Sequence, residues 1–233
     1  MYTIALHTTY FKNSSDNRNQ EILRAFRINL SLSVVARIYV YTECELPIIH
    51  PKLIPVYIQG RPNFRILFSH FEEYGVNIIC NSDISFKKNL KKILHIIDRP
   101  SKVCFVSRRI RLDFLGKHIV FKHNTGNSQD AWGFYGKITD DALSKILEKI
   151  EIGVPGNDNA LVYLFRKYTY EVLNPSYAIT LLHHHRSDKR NYTESDRLNL
   201  EYDFVKPSVA MKYDLLEYAM KAINLIYYHK WFR

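Results

Sequence analysis

The chain has 233 residues, of which 33 are Lys or Arg and 23 are Asp or Glu, so its formal charge at neutral pH is +10. A hydrophobic fraction of 46% is enough for a buried core, which argues against intrinsic disorder. The excess of positive charge predicts anionic ligands or partners.

The apolar runs and the cysteines limit where the protein works. No apolar run reaches the roughly 18 to 20 residues that cross a bilayer, and the opening residues lack the regions of a signal peptide. We therefore expect a protein that is cytoplasmic or faces the cytosol. Cys44, Cys80 and Cys104 are too few and too scattered for a disulfide framework or a four-thiolate zinc site.

Strand and helix patterns alternate in the N-terminal half, as in βα units. Strands are predicted at residues 2–6, 36–42, 53–58 and 76–80. Helices are predicted from about Arg18, from Phe64, and after Asp83, where apolar residues recur at helical spacing as far as Ile97.

The C-terminal half continues the alternation around a basic, irregular stretch at 108–127. Strands are predicted at 103–107, 131–135, 170–173 and 178–182, and helices at 143–150 and 160–165. Thr139, Asp140 and Asp141 are N-cap candidates for the first of these helices. No repeat or linker divides the chain, so we predict one α/β domain.

A different pattern begins near Tyr213. Apolar residues on one face and polar residues on the other predict an amphipathic helix, which ends in the basic aromatic sequence YYHKWFR. This helix is predicted either to pack on the domain or to rest on a membrane surface.

Polar residues that follow strands are the first candidates for a site, because ligands of open α/β sheets bind beyond the carboxyl ends of the strands. Asn81, Ser82 and Asp83 follow an apolar strand and carry oxygen ligands suited to Mg²⁺ or Mn²⁺, or to a ribose. An Asx turn or a helix cap is the alternative interpretation.

Two further acidic segments have the same character. Asp130 precedes a predicted strand, where it could orient a sugar hydroxyl or act as a base; a turn at the strand start is the alternative. Asp158 lies between two asparagines after a Pro-Gly turn, and helix capping would explain one of these polar residues.

The fourth segment is the histidine-rich run at 183–192. In an extended chain His183 and His185 face one side and His184 the other, which would present a histidine pair to a metal ion. Lys189 and Arg190 could hold phosphate oxygens. A solvated basic loop is the alternative.

Several common signatures are missing from the sequence. It contains no G-x-G-x-x-G, no Walker lysine loop, no H-E-x-x-H and no G-x-S-x-G. Their absence argues against dinucleotide oxidoreductases, P-loop enzymes, common zinc proteases and α/β-hydrolases. The cations are dispersed, which disfavours a nucleic-acid-binding module.

Six segments in order resemble small nucleotide-sugar glycosyltransferases of the GT-A fold, in particular the compact domains of chlorella-type large DNA viruses and of bacteria. They are TTYF at 8–11, RPNFR at 61–65, NSDISF at 81–86, SQDAW at 128–132, PGNDN at 155–159 and HHHRSDKRNY at 183–192. The resemblance covers a domain at 1–195, followed by an extension at 196–233 that carries the amphipathic helix.

The resemblance implies a Rossmann-like nucleotide-binding half with a mixed central sheet flanked by helices. It also implies a divalent metal, Mn²⁺ or Mg²⁺, at the turn that holds Asn81, Ser82 and Asp83, although Asn81 replaces the first acid of the D-x-D pattern. The other implied positions fall into three groups. Metal ligation would involve Asp83 with His183 or His185; the donor diphosphate would meet Lys189 or Arg190; and the nucleoside pocket would contain Thr8, Thr9, Tyr10 and Arg65.

The function implied is transfer of a hexose from a nucleotide-diphosphate sugar to a glycan acceptor, in a viral protein within the host cytoplasm or in a bacterial cytosol. In an inverting reaction Asp158 would be the base, with Asp130 as its rival or as a positioning residue. The alternatives are an inactive nucleotide-sugar-binding or carbohydrate-binding relative and, less favoured, a nucleic-acid-binding module. We therefore expect no nucleic-acid partner.

Overall fold

The computed structural model describes residues 3–106, 109–112, 118–120, 129–184 and 196–208. The strands in these ranges are β1 (Ile4–Tyr10), β2 (Val35–Thr42), β3 (Leu53–Tyr57), β4 (Val76–Cys80), β5 (Ile84–Phe86), β6 (Lys102–Val106), β7 (Arg109–Leu112), β8 (His118–Val120), β9 (Ala131–Tyr135), β10 (Glu171–Leu173) and β11 (Leu181–His183). The α-helices are α1 (Asp16–Leu30), α2 (Phe64–Ser69), α3 (Ile93–Ile96), α4 (Asp141–Leu147) and α5 (Asn157–Lys167), and a 3₁₀ helix at Lys88–Lys92 leads into α3.

A seven-stranded mixed sheet forms the centre of the fold, with the order β10-β6-β9-β4-β1-β2-β3. Neighbouring strands are parallel except at β9, which runs antiparallel to both β4 and β6. The α/β class predicted from the sequence is confirmed. Because Cys80 at the end of β4 pairs with Ala131 at the start of β9, residues that precede β9 lie at the carboxyl edge of β4.

Helices cover both faces of this sheet, giving three layers. Successive strand side chains alternate between the faces, and each face carries its own buried apolar cluster. The cluster under α1 and α3 includes Leu6, Ile22, Phe26, Ile78 and Ile93. The cluster under α2, α4 and α5 includes Phe64, Trp132, Phe134, Leu143 and Phe165.

A second, four-stranded sheet was not predicted from the sequence. Its order is β5-β11-β7-β8, with β11 antiparallel to β5 and parallel to β7. The strand predicted at 178–182 is wrong in its first half, because the amides of Ala178 and Ile179 both donate to the carbonyl of Pro175 at 2.9 Å and form a turn. Extended chain begins only at Leu181.

The first strand is longer than predicted. β1 pairs with β2 as far as Tyr10 opposite Thr42, so Thr8, Thr9 and Tyr10 lie within the strand and not after it. The N-cap prediction for α4 is confirmed at Asp140, whose side chain accepts from the amide of Leu143 at 2.9 Å.

The segment at 196–208 packs on the domain. Val205 is buried in the cluster under α5, and its carbonyl accepts from Asn174 Nδ2 at 2.9 Å. The amphipathic helix predicted from Tyr213 lies outside the described residues, and the domain boundary after residue 195 stays a prediction. In the ranges that the structure covers, no helix is long and apolar enough to span a bilayer.

A buried histidine lies in the middle of β1. His7 Nε2 is 3.2 Å from Asn77 Oδ1, its Nδ1 is 3.2 Å from the Tyr41 hydroxyl, and its ring stacks on Tyr39 with centroids 4.8 Å apart. Burial lowers the pKa of His7 to about 3, and the hydrogen bond to Asn77 only partly opposes it. The ring is therefore neutral in the folded protein.

We expect His7 to make the protein acid-sensitive. The folded-state pKa lies below the ordinary value of about 6.5, so the unfolded chain binds one more proton and stability falls as pH drops below about 6.5. His7→Gln should remove up to ~1.4 kcal/mol per pH unit of this dependence between about pH 6 and pH 4. Urea unfolding of both proteins at several pH values measures it; a difference in unfolding free energy that stays constant with pH would contradict the assignment.

Candidate active site

Two groups of acidic residues lie at the carboxyl edge of β4: Asp83 in the turn that follows the strand, and Asp130 together with Asp158. The amide of Asn81 donates to the carbonyl of Asp130, and Asn81 Nδ2 donates to Asp130 Oδ1, both at 3.2 Å. The amide of Ile84 donates a hydrogen bond to the carbonyl of Asn81 at 3.1 Å, so residues 81–84 form a tight turn. The structure thus brings together the first two polar segments that the sequence singled out.

Asp83 is buried in this turn and has side-chain partners on α1 and β11. It is only 4% exposed, and its Oδ2 accepts from Arg18 Nη2 at 2.8 Å and from His183 Nε2 at 3.1 Å. Its carbonyl accepts from the amide of His184 at 2.9 Å, which continues the pairing of β5 with β11. The second sheet is what brings the histidine segment to Asp83.

Neighbouring histidines have different surroundings. His183 faces Asp83, whereas His184 is buried, with Nε2 2.7 Å from Ser85 Oγ. The alternation expected of an extended chain is therefore present for these two residues. His185, Lys189 and Arg190 lie outside the described residues, and their roles stay predictions.

Sequence reasoning missed Arg18. This residue lies in the first turn of α1, and its guanidinium donates from Nη2 to Asp83 and from Nη1 to Glu21 Oε2, at 2.8 and 2.9 Å. Burial lowers the pKa of Arg18, but the two carboxylates outweigh it and leave the pKa above its ordinary value. The detectable signal was a charged pair, Arg18 and Glu21, on the helix face that also carries Ile22 and Ala25.

Asp158 is fixed at the start of α5. Its Oδ2 accepts from the amide of Gln129 at 3.0 Å and its Oδ1 from the amide of Asn159 at 2.9 Å. Burial raises the pKa of Asp158; the two amides oppose this, and the charge of Asp130 adds to it. Asp158 therefore lies beside Asp130 and ties α5 to the start of β9.

Cys80 is the last residue of β4 and is buried. Burial raises the pKa of its thiol to about 12, and the charges of Asp83 and Asp130 add to the rise. The thiol is neutral near pH 7 and behaves as a small core group.

Two predicted nucleoside-binding residues have other contacts in the structure, and their binding role stays a prediction. Arg65 Nη1 forms an ion pair with Glu148 Oε2 at 2.6 Å, and both side chains are about half exposed, at 52% and 53%. Tyr10 is buried in the cluster under α1, with its ring centroid 6.2 Å from that of Phe26. Thr8 is buried and Thr9 is half-buried near the end of β1, directly before Tyr10.

The donor set at Asp83 suits a divalent cation. A carboxylate oxygen and an imidazole nitrogen 3.1 Å apart can both ligate Mn²⁺, and Mg²⁺ is commonly held by one or two carboxylates together with substrate phosphates. Among the residues with described positions, no group of three His, Cys, Asp or Glu side chains could enclose such an ion. Asp83 and His183 would supply two ligands, with phosphate oxygens and water as the natural others.

The contact with Asp130 explains why position 81 is an asparagine and not an aspartate. A carboxylate at position 81 would lie against Asp130, and two adjacent carboxylates repel each other. We expect Asn81→Asp to lose ~1–3 kcal/mol of unfolding free energy near pH 7. The loss should shrink toward pH 4, because repulsion raises the folded-state pKa of the pair and protonation relieves it.

The matched control for that variant is Asn81→Ala, which removes the hydrogen bond to Asp130 without adding charge. Its loss of stability should be smaller than that of Asn81→Asp at pH 7 and should change less between pH 7 and pH 4. Urea titrations of both variants measure the two effects. Equal losses by the two variants at every pH would mean that no carboxylate repulsion arises at position 81.

No protein-family model and no curated protein matches the sequence. Among solved structures, the fold is similar to the mannosyltransferase PcManGT of Pyrobaculum calidifontis in complex with GDP-Man and Mn²⁺, with a TM-score of 0.52, 10% identity and 80% of this chain covered. This chain is GT-A-like in fold. The likeness confirms the architecture predicted from the sequence, and it spans 58% of the mannosyltransferase.

Two weaker similarities have TM-scores under 0.5. One is to TarS 1–349 of S. aureus, with a TM-score of 0.43 and 14% identity over 81% of this chain and 59% of the other. The second is to the 4-diphosphocytidyl-2C-methyl-D-erythritol synthase of Anaerococcus prevotii, with a TM-score of 0.47 and 13% identity over 84% and 92%.

Proposed function

We propose that the protein is a glycosyltransferase that moves a hexose from a nucleotide-diphosphate sugar to a glycan acceptor. The observation that carries the proposal is the presence of two acidic groups at the carboxyl edge of β4. One group, Asp83, has cationic and imidazole partners; in the other, Asp130 accepts from the side-chain amide of Asn81 and Asp158 accepts from backbone amides. A donor diphosphate needs positive charge around it, whereas an acceptor hydroxyl needs a base, and the two groups differ in this way.

The Asp83 side suits the donor. A nucleotide sugar carries its negative charge on the diphosphate, and the leaving nucleoside diphosphate gains one more negative charge as the glycosidic bond breaks. Arg18 and His183 converge on Asp83 at the carboxyl edge of the sheet, where nucleotides bind in open α/β folds. A divalent cation bound by Asp83 and His183 would neutralise phosphate charge, as the Mn²⁺ bound with GDP-Man in the mannosyltransferase suggests.

The Asp158 side suits the acceptor. In an inverting reaction the acceptor hydroxyl attacks the anomeric carbon, the bond from that carbon to the diphosphate breaks, and the hydroxyl proton passes to a base. Asp158 is oriented by two amides, and its raised pKa makes it a stronger base than an ordinary aspartate. Asp130 is the second carboxylate of this side, and we assign it to positioning the sugar.

The test identifies the donor and then measures the effect of replacing the proposed base, Asp158. Release of nucleoside diphosphate is measured over a panel of UDP- and GDP-sugars with Mn²⁺ and sugar acceptors. Asp158→Asn should lower kcat by about 10²- to 10⁴-fold and abolish the fall in rate on the acidic side of the pH–rate profile. Asp130→Asn should act mainly on KM.

Asp141→Asn is the matched control, since it removes an exposed carboxylate from the first turn of α4. It should retain wild-type turnover. Full turnover by Asp158→Asn would remove the proposed base. Binding of nucleotide sugar without turnover by the wild-type protein, across many acceptors, would favour the inactive binding relative.

A further inference from the structure

We propose that Arg18 is a donor-phosphate ligand that pairs with Asp83 in the nucleotide-free protein and competes there with the divalent cation. The inference rests on the proposed function, because it assigns a residue to the diphosphate of the same site. It begins from one shared atom: Arg18 Nη2 and His183 Nε2 both contact Asp83 Oδ2, at 2.8 and 3.1 Å.

Competition follows from that shared oxygen. A cation held by Asp83 and His183 would meet the guanidinium at the same carboxylate, and two positive charges at one oxygen repel each other. The Arg18 and Asp83 side chains are 14% and 6% exposed, so water screens this repulsion poorly. In the absence of nucleotide, Arg18 should therefore keep the affinity for metal low.

A diphosphate relieves the competition. Arg18 uses one N–H on Asp83 and one on Glu21 within the described part of the chain, out of the five that a guanidinium carries. The others are available to phosphate oxygens, for which the planar fork is well suited. A bound diphosphate gives Arg18 a further anionic partner in place of Asp83, so metal and nucleotide should strengthen each other's binding.

The net charge around Asp83 favours a role for both the Arg18 guanidinium and a divalent metal ion. Arg18 lies between two carboxylates, Asp83 and Glu21, so this group carries a formal charge of −1 when both are ionised. A diphosphate would be repelled by that group unless further positive charge were present. Arg18 alone does not replace the metal; it adds a fixed positive charge to a site that still attracts a divalent ion.

The experiment measures binding, not turnover. Mn²⁺ affinity without nucleotide is measured by electron paramagnetic resonance, and UDP and GDP affinity at saturating Mn²⁺ by calorimetry. Arg18→Gln should tighten Mn²⁺ binding about tenfold and weaken nucleoside diphosphate binding about tenfold to a hundredfold, while the phosphate-free nucleoside changes by no more than about twofold.

Arg24→Gln is the control, because it removes the same charge from an exposed position on the same helix. It should leave all three affinities within about twofold of wild type. Arg18→Lys covers the case in which the glutamine variant does not fold: it keeps the charge but loses the fork, so Mn²⁺ affinity should stay low while diphosphate binding weakens about three- to tenfold.

The outcomes separate the inference from the proposed function. If wild-type protein binds neither UDP nor GDP with Mn²⁺, the proposed function fails. If it binds one of them and Arg18→Gln binds that nucleotide equally well, or binds Mn²⁺ no more tightly, the role of Arg18 is overturned and the proposed function stands. Where only the lysine variant folds, unchanged diphosphate affinity overturns the role.

Discussion

A buried carboxylate at the end of β4 is the constraint on which the candidate site depends. Asp83 is removed from water, and an ionised carboxylate in that position is stable only with cationic or hydrogen-bonding partners. Arg18 reaches it from the start of α1 and His183 from the end of β11. One side chain thereby fixes a helix on the central sheet and the edge of the second sheet in a single arrangement.

The antiparallel strand β9 supplies the other half of the site. If every strand of the central sheet were parallel, the residues before β9 would lie at the opposite edge, far from Asp83. Because β9 is reversed, Asp130 instead meets Asn81, and Asp158 is joined to the same place through the amide of Gln129. The proposed donor side at Asp83 and the proposed acceptor side at Asp130 and Asp158 then lie at one edge of the sheet. Among the described residues here, carboxylates outnumber the guanidinium of Arg18, so the proposed diphosphate binding calls for added positive charge.

The sequence predicted those parts of the fold that local patterns determine. The strands at β4 and β9 have the predicted bounds, since each is a short apolar run between polar turns. Asn81, Asp83 and Asp130 could be found because they follow or precede those runs, and Asp158 because it lies between two asparagines after a Pro-Gly turn. The second sheet could not: its strands have three or four residues and depend on pairings between distant segments, such as Ile84 with His183. Arg18 was missed for a related reason, as its partner is 65 positions away.

In the proposed function, the carboxyl edge of β1 and β4 binds a nucleotide sugar, with the diphosphate beside Arg18 and Asp83. A crystal structure of the protein with its best-binding nucleoside diphosphate and Mn²⁺, with anomalous diffraction at the manganese edge, tests it most directly. We predict one anomalous peak at coordination distance from Asp83 and His183, with phosphate oxygens accepting from Arg18. A nucleotide bound elsewhere on the molecule, or a diphosphate that touches none of these three residues, would contradict the account.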